Sequence, residues 1–589
     1  MRRALIGALL ALALVPASAG AHAQLEGTTP ERGARLASAP GEVTLRFGET
    51  VEASFGSVRV FDHRGREVQS GAATHPGGQS DRVAVKLRSG LGAGGYTVTY
   101  RVISADSHPV SGGFVFSVGD GAAPAATVDE LLAGGDSGPV TSVAFATARA
   151  VQYGAIAIAI GALAFLLWAW LPALRAVAGA SAPWQAASST FAARLRALLA
   201  WTAVAGLLSG AAAIVLQGAT AGGTSAWAAL DPTVVGDVLA TRFGLVWGLG
   251  LLAWVGLGGV VLALGSRLPA FQPASVGATG LALPSPGRPA LVALALPIAA
   301  LALLPGLGGH AGANQPVALN LPANVLHVVG AGAWLGGVVV LVFVLRHATA
   351  RLEGAERTRL LSASVARFST LAGVAVAVIL ASGVVQSLLA IDALSQLVDT
   401  AFGRAVLIKL GLLAGIVGLG WLNRSRHLPA LHAAAAGGAA PGRAGVALRR
   451  TLRAELAIAV VVLGTTGALA GYPPADAVSA GPFTTAAALG PARLEVTVEP
   501  ARVGPNEVHL YLFNRRDGSQ YDRTKELTVR ASLPGRRIAP IELDARRAGP
   551  GHYVVTSAAF GVAGDWRVEV AARVSEFDEH RTTFKVPIQ

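Results

Sequence analysis

The sequence predicts a multi-domain membrane protein: an all-β sandwich first, an eight-helix transmembrane α bundle in the middle, and a second β sandwich at the C-terminus. Three observations predict it. Of 589 residues, 52% are hydrophobic and only 14% charged, which is more apolar than a soluble globular chain. The apolar residues gather between about 148 and 472 in runs long enough to span a bilayer. On either side, short runs alternate apolar and polar residues at the period of a half-buried strand.

The first residues, MRRALIGALLALALVPASAGA, join two arginines, an apolar run short for a span, and a small-residue end at Ala19-Gly20-Ala21. This is the pattern of a cleaved secretory signal over 1–21. Cleavage after Ala21 makes His22 the first residue, with a free α-amine beside its imidazole. The chain has no cysteine and its one methionine is Met1, so the processed chain carries no sulfur ligand. A formal charge of +13 raises nucleic acid as a partner. Much of the basic excess lies in short loops between apolar segments, so membrane topology accounts for it and no nucleic-acid role is expected.

Residues 22–119 read as the first β domain: GEVTLRF, GSVRVFD, DRVAVKLRS, GGYTVTYRVIS and GGFVFSVG alternate and are broken by Gly, Pro and Asp. A Gly/Ala/Pro/Asp-rich linker follows at 120–147. The membrane domain, 148–472, holds eight apolar segments near 150–173, 197–217, 243–264, 290–307, 322–345, 368–390, 405–422 and 454–471. With the first domain exported, the loops 174–197, 265–289, 346–367 and 423–453 fall on the cytoplasmic side and hold 16 Lys/Arg, whereas the opposite loops hold only Arg242 and Arg404. The positive-inside rule therefore predicts a multi-pass protein of the cell membrane with both termini outside. After a linker at 473–491, residues 492–589 alternate again in ARLEVTVEPARVGPNEVHLYLFNRRDGS, HYVVTSAAF and DWRVEVAARVS.

The segment RVISADSHPVSGG places Asp106 and His108 two residues apart, on one face of a strand or its extension. A processed His22 adds an imidazole and an amine, making three nitrogens and one carboxylate oxygen. That donor set suits tetragonal Cu(II), with zinc the main competitor. The plainer alternative is a strand-ending turn, with Asp106 bonding nearby amides and Pro109 stopping the strand.

The first domain resembles the CopC family of periplasmic copper-binding proteins, through the post-signal histidine, TTPERGARL, VTLRFGETVE and SADSHPVSGGFVFSVG. The resemblance implies a cupredoxin-like or Ig-like sandwich with His22, Asp106 and His108 as Cu(II) ligands. Glu49, in RFGE, falls where the family often has a nearby carboxylate. The methionine-rich Cu(I) site of some members is absent. His63 and His75 match no ligand position and read as solvated loop histidines.

The membrane region is similar to the CopD domain, on GGHAGA, LHVVGAGAWLGG, ARFSTLAG, TAFGRAVLIKLGLL and WLNRSRHLP. The fusion implies copper uptake, homeostasis or resistance. His310 lies in the loop after the fourth segment and His327 in the first turns of the fifth, so both sit near the exported face, as a transport pathway or, for His327, as an interfacial residue. An ionisable group within a span is costly and usually functional. Trp334 shares a face with His327, and Gly332 and Gly336 form a small-xxx-small pattern. Lys409 is expected to snorkel, with Asp392, Asp399 and Arg404 as partners, and Glu455 to form a surface ion pair with Arg449, Arg450 or Arg453. The last domain is similar to YtkA-like β domains; its His509, His552 and His580 read as surface histidines.

The resulting expectation is a copper-binding transport protein rather than an enzyme, with copper ions, the lipid bilayer and extracytoplasmic copper chaperones as partners. Copper sequestration without transport and a haem or copper redox membrane protein are the alternatives. No ATP-binding motif is present.

Overall fold

The computed structural model describes residues 23, 25–32, 34–53, 57–105, 107–119, 131, 137–179, 182–266, 273–274, 283–284, 287–313, 316–391, 393–472, 483–499, 501–516 and 519–588. Two compact units emerge: the helices form one, and the two β regions pack together in the other.

The first β region is a two-sheet sandwich. One sheet has the order β1 (Leu25–Thr29), β3 (Glu42–Phe47), β7 (Arg82–Leu87), β6 (Gln69–Thr74). The other runs β2 (Arg35–Leu36), β9 (Pro109–Val118), β8 (Gly94–Ser104), β4 (Val51–Glu52), with β5 (Val58–Phe61) also paired to β8. Alternation explains the pairing: Val43, Leu45 and Phe47 of β3 point inward and meet Val98, Tyr100 and Val102 of β8 in one core. Tyr96 stacks on Phe116 at 5.2 Å, and Phe47 meets Tyr100 edge-on at 5.6 Å.

Between the two β regions in sequence lie, among the described residues, eight helices long and apolar enough to cross a membrane: α1 (Gly138–Val177), α2 (Ala182–Gly222), α3 (Arg242–Leu264), α4 (Arg288–Leu307), α5 (Val317–Thr349), α6 (Gly354–Ala390), α7 (Ala401–Ala436) and α8 (Gly442–Leu469). A two-residue ladder, β10 (Pro273–Ala274) with β11 (Leu283–Pro284), lies between α3 and α4. α1 and α5 form the centre, with 72% and 61% of their most apolar windows buried, against 44% or less elsewhere. They approach closely because Gly161 packs against the backbone of Gly336 and Gly337. Trp170 stacks on Phe191 at 3.9 Å to tie α1 to α2. The outer helices turn Trp201, Leu208, Leu252, Leu262 and Val460 outward and exposed, as a lipid-facing surface requires.

The C-terminal β region is also two-layered. One sheet has the order β12 (Phe483–Leu489), β13 (Ala492–Glu499), β14 (Gly504–Asn514), β18 (His552–Phe560), β17 (Arg546–Gly549), and the other β16 (Ile538–Leu543), β15 (Glu526–Leu533), β19 (Gly564–Arg573), β20 (Glu579–Ile588). Val496, Leu510, Val529, Tyr553, Trp566 and Val568 fill the space between them.

Candidate functional site

The first candidate centre sits at the turn between β8 and β9. His22 and Asp106 lie outside the described residues, so the structure places His108 and Glu49 of the expected ligand set. Ser104 N–H donates to the His108 carbonyl at 2.9 Å, Ser107 N–H donates to Ser104 O at 2.9 Å, and Ser104 Oγ donates to His108 O at 3.1 Å. The turn is thus closed by its own backbone and by Ser104 Oγ, and Pro109 opens β9 rather than stopping a strand. The turn is also strained: Ser107 has φ +74°, a left-handed conformation that a non-glycine residue rarely adopts. His108 is held at the foot of this turn with only 9% of its surface exposed. The β4–β8 register, Val51 opposite Ser104, brings half-buried Glu49 alongside the same turn. Ala23, the residue after His22, is buried in the domain core at 1% exposure, which fixes this point of the chain in the sandwich.

The loop histidines differ from expectation. His75 is half-buried and its Nδ1 lies 2.6 Å from Arg82 O, while half-buried His63 packs where only glycine fits at position 94. Both are built into turns rather than solvated.

The second candidate lies in the bundle. His310 opens a short 3-10 turn (His310–Gly312) between α4 and α5. Arg242 on α3 donates to Gly312 O at 2.7 Å, pinning that turn to the start of α3. His327 lies ten residues into α5 (327 − 317), where its Nδ1 is 3.2 Å from Ser382 Oγ on α6. One turn earlier, Asn324 Nδ2 donates to Gln386 Oε1 at 3.1 Å, and Gln386 donates to Ser382 O at 3.2 Å. Polar side chains from α5 and α6 therefore surround His327. Asn324, Ser382 and Gln386 were missed in the sequence; their spacing of three and four residues puts each pair on one helical face, and that was the available sign. Gly383 leaves room beside the ring, since a Cβ there would lie 3.6 Å from His327 Cε1. Lys409 on α7 is half-buried and near enough for its charge to act on His327. Arg404 bonds the Val398 and Asp399 carbonyls, and Asp392 lies outside the described residues.

Glu455 departs from the expected surface ion pair. It is 4% exposed and accepts from Asn423 Nδ2 at 2.7 Å, while Thr451 Oγ1 donates to Asn423 Oδ1. The arginines near it in sequence occupy other faces of α8, so the carboxylate turns inward and α7 supplies its donor.

The C-terminal histidines also depart from a surface reading. His509 and His552 are 5% and 3% exposed, with His509 Nδ1 3.2 Å from His552 Nε2 and His509 Nε2 3.5 Å from Glu507. Odd-numbered residues of β14 leave the sandwich core, and an isolated sandwich would expose them. Here Arg32 of the first β region lies over that face, 3.5 Å from Glu499 and 3.8 Å from Glu507. Burial pushes His509 down to about 4, with the Arg32 charge acting the same way. Burial raises Glu507 to about 7, with Arg32 opposing and Glu499 adding. His580 is half-buried on β20.

Among the described residues, no group of three or more His, Asp or Glu side chains is set to hold a metal; the first-domain set relies on residues outside them.

A β sandwich preceding eight membrane-length helices defines a multi-domain membrane protein, and the family matches place it in the copper transport and resistance class. Residues 25–119 match the CopC domain, 140–320 the copper resistance protein D-like N-terminal domain, and 362–469 copper resistance protein D. The chain belongs to this copper resistance family, with the C-type and D-type parts in one polypeptide. It is 25% identical over 586 residues to the copper transport protein CutJ of Bacillus subtilis (strain 168), across 98% of this chain and 97% of that one. It is 30% identical to copper resistance protein D of Pseudomonas syringae pv. tomato over 46% of this chain and 81% of that one. To copper resistance protein C of the same organism it is 33% identical, over 18% and 86%. These relatives are named for copper transport or resistance, and none of the three is named as an enzyme.

Proposed function

We propose that the first β domain captures Cu(II) outside the cell and that the bundle carries copper across the cell membrane, serving uptake, homeostasis or resistance. The observation that carries this is collinearity: a copper-domain region and the membrane region of a resistance protein stand in one chain, matching a copper transport protein nearly end to end. In this reading His22, Asp106 and His108 bind the ion, through three nitrogens and an oxygen, and Glu49 lends a nearby charge. Both β regions lie on the extracytoplasmic side, where copper chaperones are the natural donors. The role is binding and transport rather than catalysis.

Within the bundle, His310 and His327 lie on the path. With no sulfur in the processed chain, imidazole and oxygen donors must carry the ion, since soft ligands are missing. The test is cellular copper content in cells lacking the protein, cells carrying it, and cells carrying His310→Ala/His327→Ala. Accumulation should depend on the protein and fall in the double variant. Equal copper in all three removes the transport reading and leaves sequestration.

A further inference from the structure

The bundle repeats itself. α1 and α5 each open into a π turn, Leu166–Trp170 and Leu341–Leu345. Counting back five residues from each (166 − 161; 341 − 336) reaches Gly161 and Gly336, the two glycines in contact at the centre. α3 and α7 both begin at a Thr-x-Phe-Gly sequence, Thr241–Gly244 and Thr400–Gly403, each after a short helix, Pro232–Ala240 and Gln396–Asp399. In both, the threonine Oγ1 accepts from the glycine N–H, at 3.1 and 2.9 Å. In both it also donates to a carbonyl of the short helix, at 2.6 Å to Val238 and 2.7 Å to Gln396. In both, the glycine is pressed against the backbone of that short helix, where a Cβ would collide.

Contact between equivalent residues of two like halves is the mark of a twofold axis, as in a symmetric dimer. With four helices per half, α1 and α5 run in the same direction, so the axis runs along the bundle.

The same count, 14 residues before each π turn (166 − 152; 341 − 327), pairs Gln152 with His327. Each faces a serine on the following helix: Gln152 meets Ser209 of α2 at 2.8 Å, and His327 meets Ser382 of α6 at 3.2 Å. The first station is closed. Gln152 is 1% exposed; one amide atom lies 2.8 Å from Ser209 Oγ and 2.7 Å from Gly206 O, and the other 2.9 Å from Trp254 Nε1 of α3, which assigns the first as nitrogen. Its donors and its acceptor are all engaged. The second station is open. Asn324 Oδ1, one turn before His327, is buried and has no hydrogen-bond partner among the described residues, a costly state unless something else supplies the partner.

We propose that the membrane domain is two pseudo-symmetric halves, and that copper is held within the bilayer in the second alone, by the His327 imidazole and the Asn324 amide oxygen. Gln152, Ser209 and Trp254 form the closed counterpart, a latch that fixes the first half as scaffold. This rests on the reading above that copper enters the bundle. An imidazole and an amide oxygen are borderline to hard donors, matched to Cu(II) rather than to a thiolate-seeking ion.

The test counts copper bound to the purified full chain in lipid nanodiscs during Cu(II) titration, in a His22→Ala/His108→Ala background that removes both imidazoles of the proposed first-domain site. One copper should remain; His327→Ala should lose it, and Asn324→Ala should weaken it tenfold or more. Gln152→Met should leave binding within twofold while lowering thermal stability. If Gln152→Met does not fold, Ser209→Ala, which removes a single bond, takes its place. Full binding in His327→Ala, or loss in the Gln152 or Ser209 variant as complete as in His327→Ala, overturns the proposal. Copper counting and cellular accumulation fail separately: binding that follows this pattern in a chain whose deletion leaves cellular copper unchanged sinks transport and keeps the site. Accumulation without the pattern does the reverse.

Discussion

His509 Nδ1 lies 3.2 Å from His552 Nε2, inside a face that Arg32 of the other β region closes. Two imidazoles, two carboxylates and a guanidinium thus share one interface within the β unit. Such a buried polar network is stable only while its protonation states suit one another.

The pH dependence follows from the folded-state values. His509 is held down at about 4 by burial first and by Arg32 second, and His552 is held well below the ordinary histidine value by burial and by His509. An unfolded histidine titrates near 6.5, so between about 6.5 and 4 the unfolded chain binds the extra proton and stability falls as pH falls, by roughly 1.4 kcal/mol per pH unit for each residue. Glu507, raised to about 7, acts oppositely: its contribution is present below the unfolded carboxylate value and is lost as pH rises through 7. Glu499 is raised as well, by burial with Arg32 opposing. His509→Asn isolates the imidazole term. Its stability deficit against the parent chain should be largest at pH 8 and shrink by pH 5, read by thermal unfolding; a deficit that grows on acidification contradicts the neutral buried assignment.

Asn423 is the donor that makes Glu455 tolerable in the bundle. Asn423→Ala strips that donor from a carboxylate with 4% exposure, at a cost of about 1–3 kcal/mol. Glu455→Gln, which keeps the shape and can still pair with the amide, should cost less than Asn423→Ala. Thermal unfolding in detergent compares the two; the reverse order would show that the bond contributes little.

Much of the architecture was legible because bilayer and sandwich each impose a period. Eight apolar runs became eight helices, and the alternation through Val43, Leu45 and Phe47 became a core face. What was not legible depends on who covers whom. His509 and His552 alternate as outward residues of β14 and β18, and Arg32, more than 450 residues earlier (509 − 32), lies over that face and helps make it an interior. Glu455 sits among arginines in sequence, yet helical rotation points it at Asn423. The repeated Thr-x-Phe-Gly was in the sequence all along, but its meaning rests on Gly161 touching Gly336, a contact no local pattern reveals.

The Gly161–Gly336 crossing leaves no room for a side chain, because a Cβ on either glycine would overlap the other helix's backbone. Backbone cannot rotate aside as a side chain can, so Gly336→Val should cost more than the ~1–3 kcal/mol of ordinary overpacking. The expected result is loss of the monodisperse folded peak in detergent. Gly259→Val on α3, where a Cβ meets nothing within 4 Å, is the matched control and should remain folded. Equal recovery of both variants would show that α1 and α5 can separate there.

The copper site proposed for the first domain carries a processing requirement. Ala23 is fixed in the core, so a chain that begins at His22 starts beside the domain, and the α-amine and imidazole of one residue offer two nitrogens together. An added residue before His22 converts that amine to an amide, which donates no lone pair at neutral pH, and moves the free amine one residue, about 3.5 Å, along the chain. Copper affinity should then fall more than tenfold, or over about 1.4 kcal/mol. His108→Ala should fall at least as far, since it removes a nitrogen that the strained Ser107 turn holds in place. Glu49→Gln, which removes charge without removing a nitrogen, should fall less. Competition titration with Cu(II), supported by the nitrogen hyperfine pattern in electron paramagnetic resonance, measures all three. An extended chain that binds copper as tightly, with an unchanged nitrogen count, excludes the amine from the site.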